Sequence, residues 1–217
     1  MNVLIFGATG SAGGSVLRVC LASPSVDEVR AIIRRPLALT HGKLRTFVHS
    51  DFQDYAAVSQ AFVGVGACLF CLGVSATQVK GEQEYRIVTH DLTLAAARTL
   101  RAHSPGAAFH YISGQGTNAR SRFMWARVKA QTERELMDHF DAVCWRPSFI
   151  DGERSESGPR VYQALRPLFR LLRPLRSLYV SGEDLGLAML QATAEKLRAC
   201  VIENPQIRDI AARARSL

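Results

Sequence analysis

Apolar residues fall along this chain in short blocks separated by longer amphipathic stretches. The first block, 2–6 (NVLIF), is followed at once by GATGSAGG and then by apolar positions 16, 17, 19, 20 and 21. Strand-like blocks recur at 28–33, 45–49, 65–72, 107–113 and 142–145. Between them, 55–62, 82–103 and 123–140 place apolar residues at helical spacing. In the second of these the stripe is Tyr85, Val88, Leu92, Ala95, Ala96 and Leu100; in the third it is Met124, Val128, Thr132 and Leu136. Pro24-Ser25, Pro105-Gly106 and the polar loops 75–81 and 114–121 punctuate the series. The block 65–72 is apolar almost throughout, as in a central parallel strand covered on both faces.

Strand and helix therefore alternate as far as residue 145, which predicts an α/β fold. The expected architecture is one doubly wound parallel sheet of the Rossmann type, strand order 3-2-1-4-5-6, with right-handed crossovers. Beyond it, 149–159 reads as a loop, 159–172 as an amphipathic helix, and 178–181 as a short strand. A helix over 183–197, a candidate seventh strand at 199–202 and a final helix or tail over 205–215 complete the chain. All 217 residues are expected to form one nucleotide-binding domain, with 149–182 as a cap on the substrate side.

The glycine turn after the first strand carries the first candidate chemistry. Its spacing is G-x-x-G-x-x-G over Gly7, Gly10 and Gly13. Gly7 permits a sharp turn at the strand end. Gly10, without a Cβ, lets a pyrophosphate approach the backbone, and Gly13 lets the helix pack on the strand. Thr9, Ser11 and Ala12 fill the same loop, where the unpaired N–H groups of a helix start favour phosphate. Arg34 and Arg35 end the second strand, and no Asp or Glu stands between Val29 and Asp51. An acidic residue there would accept the 2′-hydroxyl of NAD; arginine suits the 2′-phosphate of NADP. The expected cofactor is NADP(H) in preference to NAD(H), with Arg34 as the clamp and Arg35 stacking on adenine or assisting. Asp51 and Phe52 follow the third strand beside the adenine position. Asp51 either accepts from the adenine amino group or caps the helix beginning near Asp54. Cys71, Leu72 and Gly73 close the fourth strand, where Gly73 would let the backbone pass the cofactor's ribose and phosphates.

Composition narrows the picture further. Hydrophobic residues make up 47% and charged residues 21%, an ordinary globular balance. The net charge is +8, and Arg160, Arg166, Arg170, Arg173 and Arg176 crowd one segment. No nucleic-acid module accompanies them, so a solvated basic helix face is preferred to a nucleic-acid or membrane surface. No apolar run is long enough to span a membrane. Residues 1–15 do not read as a secretion signal, so the default location is cytoplasmic. The five cysteines lie in apolar segments and read as buried thiols. Cys68 and Cys71 form a C-x-x-C string, but residues three apart on a strand face opposite ways, and no metal site is expected.

The strings Tyr111-Ile112-Ser113, Trp125-Ala126-Arg127-Val128-Lys129 and Arg146-Pro147 resemble an atypical short-chain dehydrogenase/reductase. More narrowly they resemble the Tat-interacting oxidoreductase-like branch and its bacterial relatives, from Gly7 to about Leu190. The resemblance implies that Ser113 polarises the substrate, that Lys129 binds the nicotinamide ribose, and that Pro147 lies near the carboxamide. It also exposes a departure: Trp125 stands where the family has tyrosine, and an indole N–H is not a usable acid or base. Tyr111 shares the strand face of Ser113 and is expected to pack beneath the sheet. Two functions follow. One is an NADP(H)-dependent oxidoreductase on a small carbonyl or quinone; the other is a non-catalytic NADP(H)-binding redox sensor or scaffold. Its partner is a small-molecule substrate or none, no nucleic acid is expected, and a homodimer or a protein partner stays open.

Overall fold

The computed structural model describes residues 1–152 and 174–216. The strands are β1 (Asn2–Phe6), β2 (Glu28–Ile33), β3 (Leu44–Val48), β4 (Ala67–Phe70), β5 (Ala108–Ile112), β6 (Val143–Arg146), β7 (Phe149–Asp151), β8 (Tyr179–Ser181) and β9 (Cys200–Glu203). Seven of them form one sheet in the order β3-β2-β1-β4-β5-β6-β9, and every pairing in it is parallel. The order expected from the sequence holds, and the candidate seventh strand takes the far edge. One expectation fails: 149–151 opens a strand rather than a loop, and β7 pairs with β8 in a separate two-stranded parallel sheet.

Alternation along β1 shows how the sheet is covered. Val3 and Ile5 face one apolar cluster with Val16, Leu17 and Cys20 of α1 (Ser11–Ala22). On that side also lie Leu185 and Met189 of α5 (Gly182–Ala194) and Ile207 and Ile210 of α6 (Asn204–Arg215). Leu4 and Phe6 face the other cluster, built from the 3-10 helix Ala56–Phe62 and the helices α3 (Leu92–His103) and α4 (Met124–Phe140). Both faces of the sheet are thus buried, as a parallel sheet requires. Cys68 joins the second cluster and Cys71 packs against the first, so the C-x-x-C thiols do point apart. Burial pushes both well above their ordinary range, which leaves them inert hydrophobes.

The stretch read as one helix over 82–103 is broken. A short helix α2 (Glu82–Arg86) passes through a π-helical turn, Ile87–Asp91, before α3 begins. The wider turn rotates the buried face. Thr89, His90, Thr93, Leu94 and Ala97 are buried, while Val88, Leu92 and Ala95 are only half-buried.

α5 lies directly on α1. A Cβ on Gly182 would stand 2.4 Å from Ser15 Oγ, and one on Gly186 would stand 2.9 Å from Val19 Cβ. At Gly152 it would meet Ser11 O at 2.4 Å. At Gly152 the obstacle is backbone; at Gly182 and Gly186 it is the short side chains of Ser15 and Val19, held close by the two packed helices. Across the same face runs a buried polar chain. Trp145 Nε1 donates to His110 Nδ1 at 3.1 Å, and His110 Nε2 lies 2.9 Å from Thr193 Oγ1. Since Nδ1 accepts, Nε2 carries the proton, and Thr193 Oγ1 passes its own to Met189 O at 2.9 Å.

The helix read over 159–172, with Arg160, Arg166, Arg170, Arg173 and Tyr162, lies outside the described residues. Arg176 is described; its guanidinium pairs with Asp209 on the surface. Among the described residues no helix is long and apolar enough to cross a membrane.

Candidate functional site

The carboxyl ends of the parallel strands open toward one side, where open α/β sheets hold their ligands. The glycine turn stands there. Gly7 has φ +74°, and a Cβ on it would meet Cys71 O at 2.6 Å. A Cβ on Gly13 would collide with Gly7 O at 2.1 Å. Gly10 N–H donates to Gly7 O at 2.9 Å and closes the turn. α1 then starts with no side-chain cap and no acidic residue in its first turn. Its leading N–H groups, from Ser11 to Gly13, thus keep their donors and the positive end of the helix dipole for a ligand. An uncapped helix start above a glycine turn fits a diphosphate. Thr9 at its rim is exposed.

Arg34 and Arg35 follow β2 and are exposed. Asp51 is exposed and accepts from Gln53 N–H at 3.0 Å, while Asp54 accepts from Ala56 N–H at 2.8 Å. The carboxylate at the start of the 3-10 helix is therefore that of Asp54, and Asp51 shapes the turn before it. Phe52 is buried edge-on to Phe6, with ring centroids 6.2 Å apart. Cys71 and Leu72 are half-buried beside the glycine turn, and Gly73 is exposed.

The ends of β5 and β6 carry the second cluster. Ser113 N–H donates to Trp145 O at 2.7 Å, which ties it to β6. Its Oγ lies 3.0 Å from Thr117 Oγ1, and Thr117 Oγ1 donates to Gly114 O at 2.8 Å. Lys129, from α4, donates to Ser113 O at 2.6 Å and to Ile112 O at 3.4 Å. Its Nζ also lies 5.7 Å from the ring centre of Tyr111. Burial pulls the Lys129 ammonium down to about 8, against the pull of the Glu133 carboxylate one turn along α4. Glu133 is itself buried and held by Arg146 through contacts of 2.9 and 2.6 Å; Arg146 reaches Glu203 at 2.9 Å. Tyr111 is buried in the α3/α4 cluster, as expected, and burial holds its phenol well above the usual range.

Trp125 stands four residues before Lys129 on α4 and is half-buried. It stacks on Phe123 with centroids 6.4 Å apart, and its ring lies 3.4 Å from where a Cβ on Gly116 would be. The indole thus rests on the loop that follows Ser113. Beside it a cleft of about 400 Å³ is lined by Ser113, Gln115, Pro147, Phe149, Ile150 and Leu178, among others. The structure brings Ser113 and Pro147 together in this cleft; Trp125 and Lys129 are not part of its lining.

Some participants escape a reading of the sequence. Thr117 sits in a polar loop without periodicity, and Glu133 looks like an ordinary surface residue of a helix until Arg146 is placed. Asn204 is fully buried beneath the cleft. Its Oδ1 accepts from Ser148 N–H at 2.8 Å, and its Nδ2 donates to Arg176 O and Tyr179 O at 2.7 and 3.0 Å. Its one sequence signal is the Asn204-Pro205 pair at a helix start.

No family model matches the chain. Over 165 residues it is 31% identical to the protein fmp52, mitochondrial, of Aspergillus clavatus, a match covering 73% of this chain and 70% of that protein. Among solved structures it is similar to DesIV, a dTDP-glucose 4,6-dehydratase from Streptomyces venezuelae with NAD and TYD bound. That match has TM-score 0.70 and 17% identity, and covers 100% of this chain and 80% of the other. A short-chain dehydrogenase/reductase family oxidoreductase from Burkholderia thailandensis gives TM-score 0.71 at 17% identity, covering 92% and 89%. The fold is therefore a Rossmann fold like that of these two structures. The cytoplasmic expectation is corrected, because the Aspergillus relative is named as a mitochondrial protein.

Proposed function

Because the chain belongs to the fmp52 family, we propose that it is a mitochondrial NADP(H)-binding protein, an oxidoreductase acting on a small carbonyl or quinone. Kinship with the Tat-interacting oxidoreductase-like branch is part of this reading. The observation that carries it is the start of α1, without a side-chain cap, above a turn in which Gly7 and Gly13 admit no Cβ. In this reading Gly7, Thr9, Gly10, Ser11, Ala12 and Gly13 hold the diphosphate. Arg34 grips the 2′-phosphate with its planar fork of donors, and Arg35 covers the adenine. Asp51 and Phe52 border the adenine, and Cys71, Leu72 and Gly73 border the ribose and phosphates. Lys129 holds the nicotinamide ribose, Pro147 adjoins the carboxamide, and Ser113 orients the substrate oxygen. A bound nicotinamide supplies the hydride chemistry.

Calorimetric titration with NADPH and NADH tests this. NADPH is expected to bind more tightly, and Arg34→Ala to weaken NADPH about tenfold while leaving NADH unchanged, as for the loss of a charge-assisted hydrogen bond. Equal affinities would remove the role given to Arg34; no heat with either nucleotide would overturn the reading.

Trp125 favours a second reading. With no phenol beside Lys129, the nucleotide would be sensed rather than consumed, and the protein would act as an NADP(H)-dependent regulator or scaffold.

A further inference from the structure

We propose that Thr117 sets the specificity of the cleft, by turning the Ser113 hydroxyl so that a lone pair rather than a proton meets the ligand. The cleft therefore takes the alcohol member of an alcohol–carbonyl pair, or the hydroquinone member of a quinone pair. This inference rests on the reading of the cleft as the substrate site.

Each hydroxyl has one proton to give. Thr117 Oγ1 gives its proton to Gly114 O at 2.8 Å. The 3.0 Å contact between the two hydroxyls can then be a hydrogen bond only if Ser113 donates to Thr117. The two bonds run in one direction, from Ser113 through Thr117 to Gly114. Both side chains belong to residues that are 5% exposed, so little water competes for either proton. Lys129 bonds the carbonyl oxygen of Ser113 and leaves the direction of the hydroxyl alone.

The consequence falls on the ligand. Ser113 is in the cleft lining, and its oxygen has acceptor capacity left and no free proton. A carbonyl oxygen needs a donor and finds none in Ser113 unless the bond to Thr117 breaks. An alcohol O–H donates to Ser113 with that bond intact. Trp125, in the tyrosine position, brings no hydroxyl to replace the missing donor. Pro147, Phe149, Ile150 and Leu178 make part of the wall apolar and suited to a hydrocarbon body, while Gly114, Gln115 and Ser148 complete the lining.

The test compares two ligands that are inert toward oxidised cofactor: 2-phenylpropan-2-ol, a tertiary alcohol, and acetophenone. Dissociation constants are measured by ligand-observed NMR with and without saturating NADP+. Wild-type protein should bind the alcohol about fivefold more tightly, the worth of one neutral hydrogen bond. Thr117→Val frees the Ser113 proton and should bring the ratio to about one or below, by the same arithmetic. Thr117→Ser keeps the relay and should keep the preference. A wild type that binds acetophenone as well as or better than the alcohol overturns the proposal, and that result needs no variant to fold. Binding of neither ligand, or an unchanged ratio in a folded Thr117→Val protein, overturns it too. A separate NADP+ titration distinguishes the failures. Absence of cofactor binding removes the proposed function, whereas cofactor binding without alcohol preference removes this inference alone.

Discussion

Lys129 carries a positive charge into a place with little water, and burial brings its proton affinity down to about 8. Below that pH it is an ammonium gripping the carbonyls of Ser113 and Ile112. Above it the charge fades, and with it any hold on a ribose or any influence on a neighbouring phenol. Trp125→Tyr restores such a phenol four residues away, on the same helix face. If a proton donor is all that is missing, this variant should turn over a quinone or aldehyde with NADPH where wild type does not. Its rate should fall as pH rises past about 8, when Lys129 discharges. A variant that binds NADPH and still shows no turnover favours the sensor reading. At this scale Ser113 and Lys129 stood out through the family resemblance alone, and the structure sets the Lys129 ammonium on the Ser113 carbonyl. Thr117 was not, since its role depends on a hydroxyl proton that no pattern of apolar residues encodes. Asp51 was half legible: its residue type predicted a local N–H bond, but the helix start belongs to Asp54.

Among the elements, β5 is the one whose two faces do different work. Tyr111 turns toward α4, while His110 turns toward α5 and is locked between Trp145 and Thr193. Burial pulls His110 from 6.5 down to about 3, so the folded chain keeps it neutral where an unfolded chain would protonate it. The stability this supplies is complete above about 6.5 and is lost progressively as pH falls toward about 3. The expected slope is about 1.4 kcal/mol per pH unit for one proton. Urea unfolding between those limits should show it, and His110→Gln should flatten the curve by about one proton. An identical slope in the variant would contradict the arrangement. Helix and strand identities were readable because apolar periodicity persists over many residues. The π-helical turn at Ile87–Asp91 was not, because one wider turn leaves the composition of a helix untouched while rotating its buried face.

At the scale of the whole molecule, the alternation of strands and helices pointed to a parallel α/β sheet, and the glycine turn after the first strand pointed to the dinucleotide-binding order within it. The strand β8 was legible at 178–181, but its partner β7 was hidden in a stretch read as a loop, because three residues carry too little pattern to register. Location was hidden for another reason: a compartment is an address read by other proteins, and the mitochondrial proposal rests on the name of a relative. A C-terminally tagged copy expressed in a fungal cell should sediment with mitochondria; a tag found only in cytosol would refute the placement. One feature ties the molecule's two termini to each other. α1 presents its inner side to the sheet, and its outer side fits closely against Gly152, Gly182 and Gly186. A fragment stopping at Ile150 would possess the complete opening turn yet leave that outer side bare. During synthesis, then, the outer side of α1 stays uncovered until the chain through Gly186 has been made.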